Sequence, residues 1–296
     1  MTTIRQLEYI KAIEDHGTFQ TAADACHVTQ PGLSTQVRQL EDFLEVQLFE
    51  RGQKPVLVTP AGREILTHAR IILSAVDALH EAAQSLTQPF AGRLRFGVIP
   101  TVAPFLLPAV IPGLRRAYPA LRLELHEAQT GHLVMDLERG ELDLLLVALE
   151  APLGDVATLP LFSDDFVLAV PRGHRLAKRK RVRESDLTGE SVLLLEDGHC
   201  LRSQALSVCS RAGASEIGDF RASSLTTLIS MVAGGAGVTL LPWLATQTST
   251  ALDSDLCLVP FAQPRPKRTI GFAWRKTSQR ESEYAELAKH FRIPTA

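Results

Sequence analysis

Two cysteines nine residues apart, with a histidine directly before the first, are the side chains of this sequence best suited to chemistry: Cys200, within His199-Cys200-Leu201-Arg202, and Cys209. An apolar, strand-like run from Val192 to Leu195 stops at Glu196-Asp197-Gly198, and the pattern turns helical at His199 and Cys200. Cys200 thus falls in the first turn of a helix, where the positive end of the dipole favours a thiolate, with His199 adjacent and Arg202 in the same turn. Those are the surroundings of a reactive thiol. The plain alternative is that both cysteines fill a core, as cysteine often does. If the segment is one continuous helix, nine residues of about 1.5 Å rise set the two Cα atoms roughly 13 Å apart, against a limit of about 7 Å for a disulfide. A bond between these thiols would have to unwind the helix, which turns an oxidation into a conformational change.

Composition narrows the setting. The 296 residues, 45% hydrophobic and 22% charged, suit a soluble globular chain of two or three domains and exclude a disordered one. No charged-then-apolar leader opens the chain, and no apolar run nears the ~20 residues that cross a bilayer. The expectation is therefore a cytoplasmic protein with no membrane partner. Four cysteines in this length make no disulfide framework and no paired Cys-x-x-Cys spacing, so neither a metal nor a cofactor is expected. In a reducing cytosol a cysteine pair that matters is a transient redox pair and not a staple. The formal net charge is −2, and residues 1–60 carry five Lys or Arg against eight Asp or Glu, which argues against an indiscriminate polyanion binder. The run from Arg172 to Arg183 holds seven Lys or Arg and reads as a solvated connector.

Helical periodicity marks the N-terminal elements. Leu7, Ile10 and Ile13 share one face of a helix ending near His16-Gly17; Thr18 opens a second helix with the small residues Ala22, Ala23 and Ala25. After His27-Val28-Thr29, Gln30-Pro31 opens a third, its Leu33, Val37 and Leu40 on one side and Ser34, Thr35, Gln36 and Arg38 on others. Two short helices joined by a tight turn, the second with polar tips, form a helix-turn-helix that reads the major groove. Thr59-Pro60 then starts a long helix to about Leu86, in which Ile65, Ala69, Ile72, Val76, Leu79, Ala83 and Leu86 recur at alternating spacings of four and three. That is a coiled-coil seam pairing two copies through residues 60–86, with packing on its own domain as the alternative. A linker, Gln88 to Gly92, follows. From Arg93 strands and helices alternate, an α/β pattern that predicts a parallel sheet with ligand sites beyond the carboxyl ends of its strands.

The wording of these elements is more specific than their periodicity. Phe19-x-x-Ala22-Ala23, Val28-Thr29-Gln30-Pro31-Gly32-Leu33-Ser34-x-Gln36-Val37-x-x-Leu40-Glu41 and Leu44-x-Val46-x-Leu48-Phe49-x-Arg51 resemble the N-terminal signature of the LysR family of bacterial transcriptional regulators. Leu195 to Arg202, followed by Cys209, is similar to the redox segment of that family's OxyR-type hydrogen peroxide sensors, as are Ile99-Pro100-Thr101-Val102 and His126 to Thr130. The resemblance implies a winged helix-turn-helix over 1–59, a linker (dimerisation) helix and hinge over 60–92, and a redox-sensing regulatory domain over 93–296. Two α/β subdomains resembling a type 2 periplasmic binding protein are implied in the last, about 93–163 with 267–296, and about 164–266.

The same resemblance implies roles. Gln30, Pro31, Ser34, Thr35 and Arg38 would face promoter DNA, with Arg51 and Lys54 on phosphates around the wing; Gly32 stands where the family usually has Ala or Thr, which leaves the operator open. Cys200 would be the peroxidatic and Cys209 the resolving cysteine of a reversible disulfide. Thr101, Thr130 and His199 would hydrogen-bond hydrogen peroxide, and Arg268 would help keep the thiol ionised. The plain alternatives are helix N-caps for the two threonines and a surface contact for Arg268; Cys26 and Cys257 read as packing. Implied partners are promoter DNA, hydrogen peroxide, a second copy, a homotetramer and RNA polymerase. The implied function is an activator of antioxidant genes, not an enzyme. Competing readings are a LysR regulator that answers to a metabolite with inert cysteines, a thiol peroxidase, which the helix-turn-helix signature opposes, and a transport-type binding protein.

Overall fold

The computed structural model describes residues 1–50, 52, 55–85, 90–247 and 256–291, leaving aside the side chains of 81–85 and 219. It forms two compact units, Met1–Thr87 with Glu138–Glu141, and Gln88–Leu137 with Leu142–Ala296.

In the first unit, helices α1 (Ile4–His16), α2 (Phe19–Ala25) and α3 (Gln30–Leu44) are each opened by a threonine. The hydroxyls of Thr3, Thr18 and Thr29 accept from the backbone N–H groups of Gln6, Thr21 and Gly32, satisfying donors that a helix start leaves open. Leu33, Val37 and Leu40 turn one face of α3 into a core with Leu7, Ile10, Ile13, Ala22 and Ala23. Strands β1 (Phe49–Glu50) and β2 (Leu57–Val58) pair antiparallel as a short wing. Buried Glu41 of α3 accepts from the Leu48 N–H at 2.9 Å and so pins the entry to that wing.

Helix α4 (Pro60–Ser85) is capped by Thr59, whose hydroxyl accepts from the Gly62 N–H at 2.9 Å. Its apolar stripe is not a single seam, and here the sequence expectation needs correction. Leu66 and Ala69 are buried in the unit's own core, with Ile65 and Leu73 packed against it. Ile71, Ile72 and Leu79, 47%, 47% and 67% exposed, carry the large apolar side chains that remain open on the helix. The first turns of α4 belong to the head, and only the later stripe is free to meet a partner; Leu86, Thr87 and the linker's Gln88 and Pro89 lie outside the described residues.

The second unit runs β3 (Gly92–Val98), α5 (Ala103–Ala117), β4 (Leu121–Glu127), α6 (Thr130–Glu138), β5 (Leu144–Ala148), β6 (Val156–Pro171), β7 (Ser191–Leu195), α7 (Cys200–Ala212), β8 (Ser215–Ala222), α8 (Leu225–Ala233), β9 (Thr239–Pro242), β10 (Leu256–Pro260), β11 (Lys267–Arg275) and α9 (Glu281–Ala288). The sheet order is β10-β6-β11-β5-β3-β4, with β9 also on β6, while β7 pairs with β8. Only β3 with β4 and β5, and β7 with β8, run parallel; the other pairs are antiparallel, so the sheet is mixed where alternation predicted a parallel one. The cause is three late strands: β11 returns to fill the gap between β5 and β6, and β9 and β10 pair with β6, all antiparallel to their neighbours.

Strand β6 is long because it serves two halves. Its residues 156–165 pair with β11 and its residues 166–171 with β9 and β10. Two cores result: one contains Leu94, Phe96, Val98, Leu146 and Phe272, and the other Phe166, Leu168, Leu193, Val208 and Leu240. Among the described residues no helix is long and apolar enough to cross a membrane.

The first core ends on a buried charge. The Asp143 carboxylate accepts from the Arg95 backbone N–H at 2.9 Å and from Arg95 Nη2 at 2.6 Å, and Arg275 Nη2 lies 3.6 Å away. Asp143→Ala would strand guanidinium groups in a poorly solvated place, and an unfolding free-energy loss of about 3 kcal/mol is expected in urea titrations. A loss below ~1 kcal/mol would assign the cluster to the solvated surface class.

Candidate redox site

The residues singled out for peroxide chemistry lie where strands end. Thr101 follows β3, but it is no cap: α5 is entered through Val102, with no side-chain cap bond. Thr101 is 2% exposed, and its Oγ1 accepts from Arg268 Nη1 at 2.9 Å while its carbonyl accepts from Nη2 at 3.2 Å. Arg268, on β11, is wholly buried and pairs with Asp164 of β6, Nε to Oδ2 at 3.0 Å. It is therefore no surface contact. Thr130 opens α6, is buried, and its Oγ1 has no hydrogen-bond partner in the protein. A buried hydroxyl left so is costly in an ordinary core and is expected where a ligand is to be met.

His199, also buried, ends the turn after β7. Burial pushes its pKa below the ordinary imidazole value, against the opposing pull of Glu196 and of a hydrogen bond to the Ser223 backbone. The ring is thus neutral at pH 7; its one N–H is given to the Ser223 backbone carbonyl, which leaves the other nitrogen as an acceptor. The turns before α6 and α7 meet: the Gln129 amide donates to the Asp197 carbonyl at 3.5 Å. Gly198, at φ +94°, admits this approach, since a Cβ there would lie 2.1 Å from Gln129 Oε1.

Both cysteines are free thiols on the continuous helix α7. Cys200 is its first residue, half-buried against the core that holds Ile99 and Val102. Cys209 is buried in the other core, and burial pushes its thiol up to about 11. Arg202 does not serve Cys200 as the sequence suggested. Its guanidinium donates to Glu216 at 2.6 and 3.0 Å and to Asp197 at 2.8 Å, tying α7 to β8. With His199 neutral and Arg202 taken up by carboxylates, Cys200 is left with the start of α7 as its neighbour of partial positive charge, and the N-cap there supplies no side-chain bond. Gln204, one turn on, reaches Glu150 at 3.5 Å, and Glu150 accepts from the Thr269 N–H at 2.6 Å.

In the first unit, Pro31, Thr35 and Arg38 are exposed on α3, and Gln30 and Ser34 half-buried. Gln36 accepts from the Gln6 amide at 3.3 Å and is structural. Arg51 and Lys54 lie outside the described residues. Cys26 is the half-buried C-cap of α2, its pKa raised by burial, and Cys257 lies half-buried on β10. The basic residues from Arg172 to Arg183 are exposed, and Arg175 pairs with Glu190 at 2.5 Å. Sequence reasoning missed Asp164. The one available signal was an acid inside a strand whose following residues, Phe166 to Val170, are all apolar. Among the described residues no group of three or more His, Cys, Asp or Glu could hold a metal ion.

A helix-turn-helix unit joined to a two-core α/β unit of this kind defines a ligand-responsive DNA-binding regulator. Residues 4–63 match the model of the bacterial regulatory helix-turn-helix protein, lysR family, and residues 87–292 that of the LysR substrate binding domain. The chain belongs to the LysR family. It is 46% identical to a hydrogen peroxide-inducible genes activator of Dickeya chrysanthemi and to the DNA-binding transcriptional dual regulator OxyR of Escherichia coli, in each case over 98% of this chain and 94% of the relative. Among solved structures it is similar to full-length OxyR from Pseudomonas aeruginosa, with a TM-score of 0.81 at 34% identity, covering 100% of this chain and 99% of that one. A Corynebacterium glutamicum OxyR mutant bound to H2O2 gives 0.68 at 33%, covering 99% and 92%.

Two outcomes follow from this geometry. The Cys209 thiol titrates at about 11 in the folded protein against an ordinary 9.0, so folding favours the protonated form. The stability this gives is complete below pH 9 and is lost between pH 9 and 11, about 2–3 kcal/mol in all; urea midpoints of the reduced protein should fall over that window and fall less in Cys209→Ala. Gly198→Ala is expected to cost about 1–2 kcal/mol through φ strain and the Gln129 contact together. The double variant with Gln129→Ala should recover only the contact share, as read from thermal midpoints.

Proposed function

We propose that this chain is a hydrogen peroxide-sensing DNA-binding transcription regulator, switched by a reversible disulfide between Cys200 and Cys209. The observation that carries the reading is that one helix holds an N-terminal thiol against one core and a buried thiol in the other. The Cys200 thiolate attacks one oxygen of HO–OH; an S–O bond forms, the O–O bond breaks, and the departing hydroxide takes a proton to become water. Thr101, Thr130 and neutral His199 hold the peroxide, the threonine O–H groups favouring charge on the leaving oxygen and the imidazole accepting from a peroxide O–H. Cys209 then displaces water from the Cys200 sulfenic acid to give the disulfide, and an external dithiol later reduces it.

The disulfide cannot form within α7, so residues 200–209 unwind and Cys209 leaves its core. The change passes to contacts between copies and so to the spacing of the DNA-reading helices. Pro31, Thr35 and Arg38, with Gln30 and Ser34, read promoter DNA, and Arg51 and Lys54 bind its phosphates. Copies pair through the later turns within residues 60–86, where exposed Ile71, Ile72 and Leu79 support the contact, and the dimers form a homotetramer that engages RNA polymerase. The regulator acts in the cytoplasm as an activator of antioxidant genes; peroxide is its signal and not a substrate for turnover.

The test is a peptide map of reduced full-length protein after a stoichiometric peroxide dose, free thiols alkylated, with a footprint on promoter DNA. A Cys200 to Cys209 disulfide and an altered footprint are expected, both absent in Cys200→Ser. If Cys200 stays alkylatable while the footprint answers to a metabolite, the peroxide reading fails and the metabolite-responsive LysR regulator stands.

A further inference from the structure

The guanidinium of Arg268 is held on two edges. On one, Asp164 Oδ2 accepts from Nε at 3.0 Å and lies 2.9 Å from Nη2. On the other, Nη1 donates to Thr101 Oγ1 at 2.9 Å and Nη2 to the Thr101 carbonyl at 3.2 Å. Asp164 is itself fixed, since its Oδ1 accepts from the Leu244 N–H at 2.9 Å, and all three side chains are at most 2% exposed. Arginine presents its donors in a rigid planar fork, so clamping one edge sets where the other points. It can only donate, so the contact makes Thr101 Oγ1 an acceptor towards Arg268 and turns the threonine's single O–H away from it.

The geometry points to Asp164 as a positioning residue for the peroxide reaction: by clamping Arg268 it orients the Thr101 hydroxyl as a donor into the peroxide site. The inference rests on the peroxide-sensing reading. It gives the two threonines different tasks. Thr101, one lone pair taken by Arg268 and its O–H turned away from the arginine, is set to donate to the leaving oxygen, whereas Thr130, with Oγ1 unpartnered, is free to donate or accept. Because the Asp164 carboxylate balances the guanidinium charge, the arginine acts through the direction of its N–H groups.

The test is a double-mutant cycle on the rate constant for peroxide-driven formation of the Cys200 to Cys209 disulfide, measured by quench and peptide mapping in the full-length reduced protein. Thr101→Val and Asp164→Asn should each slow the reaction about tenfold or more, and the double variant should be no slower than the slower single, because both remove one oriented donor. Losses that multiply, or an Asp164→Asn rate equal to wild type, overturn the inference. If Asp164→Asn does not fold, Arg268→Lys takes its place: it keeps a cation beside Asp164 but cannot span both edges, and it too should be non-additive with Thr101→Val. Multiplying losses there overturn the inference equally. A wild-type protein that forms no disulfide would sink the peroxide-sensing reading itself, whereas the cycle is read only where wild type reacts.

Discussion

Nine residues of helix separate Cys200 from Cys209, and at about 1.5 Å per residue no side-chain rotation closes the resulting gap of roughly 13 Å to disulfide range. Packing adds to that constraint, since α7 carries its two thiols into different cores. The bonds that hold α7 in place, Arg202 to Glu216 and Asp197 and Gln204 to Glu150, oppose unwinding. The shielded Arg202 to Glu216 pair contributes about 1.5–3 kcal/mol, the contacts to exposed Asp197 and Glu150 about 1 kcal/mol or less each, and a disulfide about 2–4 kcal/mol. Terms of the same order suit a segment that must travel in both directions.

The chemistry-bearing side chains are delivered by strand ends, and their orientation comes from a cross-strand pair. Arg268 and Asp164 face each other in register on β11 and β6, the two strands that knit the halves of the second unit together. A buried charge is tolerated only when compensated, and here the compensating carboxylate also sets the direction of the arginine's remaining donors. Burial works on the thiols and the imidazole in the same spirit. It keeps Cys209 protonated and His199 neutral, which leaves Cys200, at the head of a helix, as the thiol placed to react.

Local features were legible in the sequence. Threonine caps, the Leu33, Val37 and Leu40 face, the apolar strands and the cysteine spacing all depend on residues a few positions apart, and they are found much where periodicity and capping rules put them. What failed was long-range. Asp164 and Arg268 are 104 residues apart and no pattern joins them. Arg202 sits in the turn of Cys200, but carboxylates on β8 and at Asp197 claim it. Strand β8, Ser215–Ala222, carries Glu216, Gly218 and Arg221 among its apolar residues and shows no clean alternation. The mixed direction of the sheet depends on where β9, β10 and β11 insert, which local pattern does not encode.

Helix α4 joins two roles within one rigid rod. Leu66 and Ala69 fasten its early turns into the same core that seats α3, and Arg70 of α4 pairs with Glu14 of α1. The exposed Ile72 and Leu79 lie further along the same axis. A torque applied at that stripe meets no hinge before it reaches the reading helix. The helix is in effect a lever arm, and its leverage grows with the 1.5 Å that each residue beyond Ala69 adds, as an order-of-magnitude rise. Inserting or deleting a single residue beyond Ala69 turns the grip by about 100° relative to the head, so the length of this helix works as an angular setting as much as a spacer.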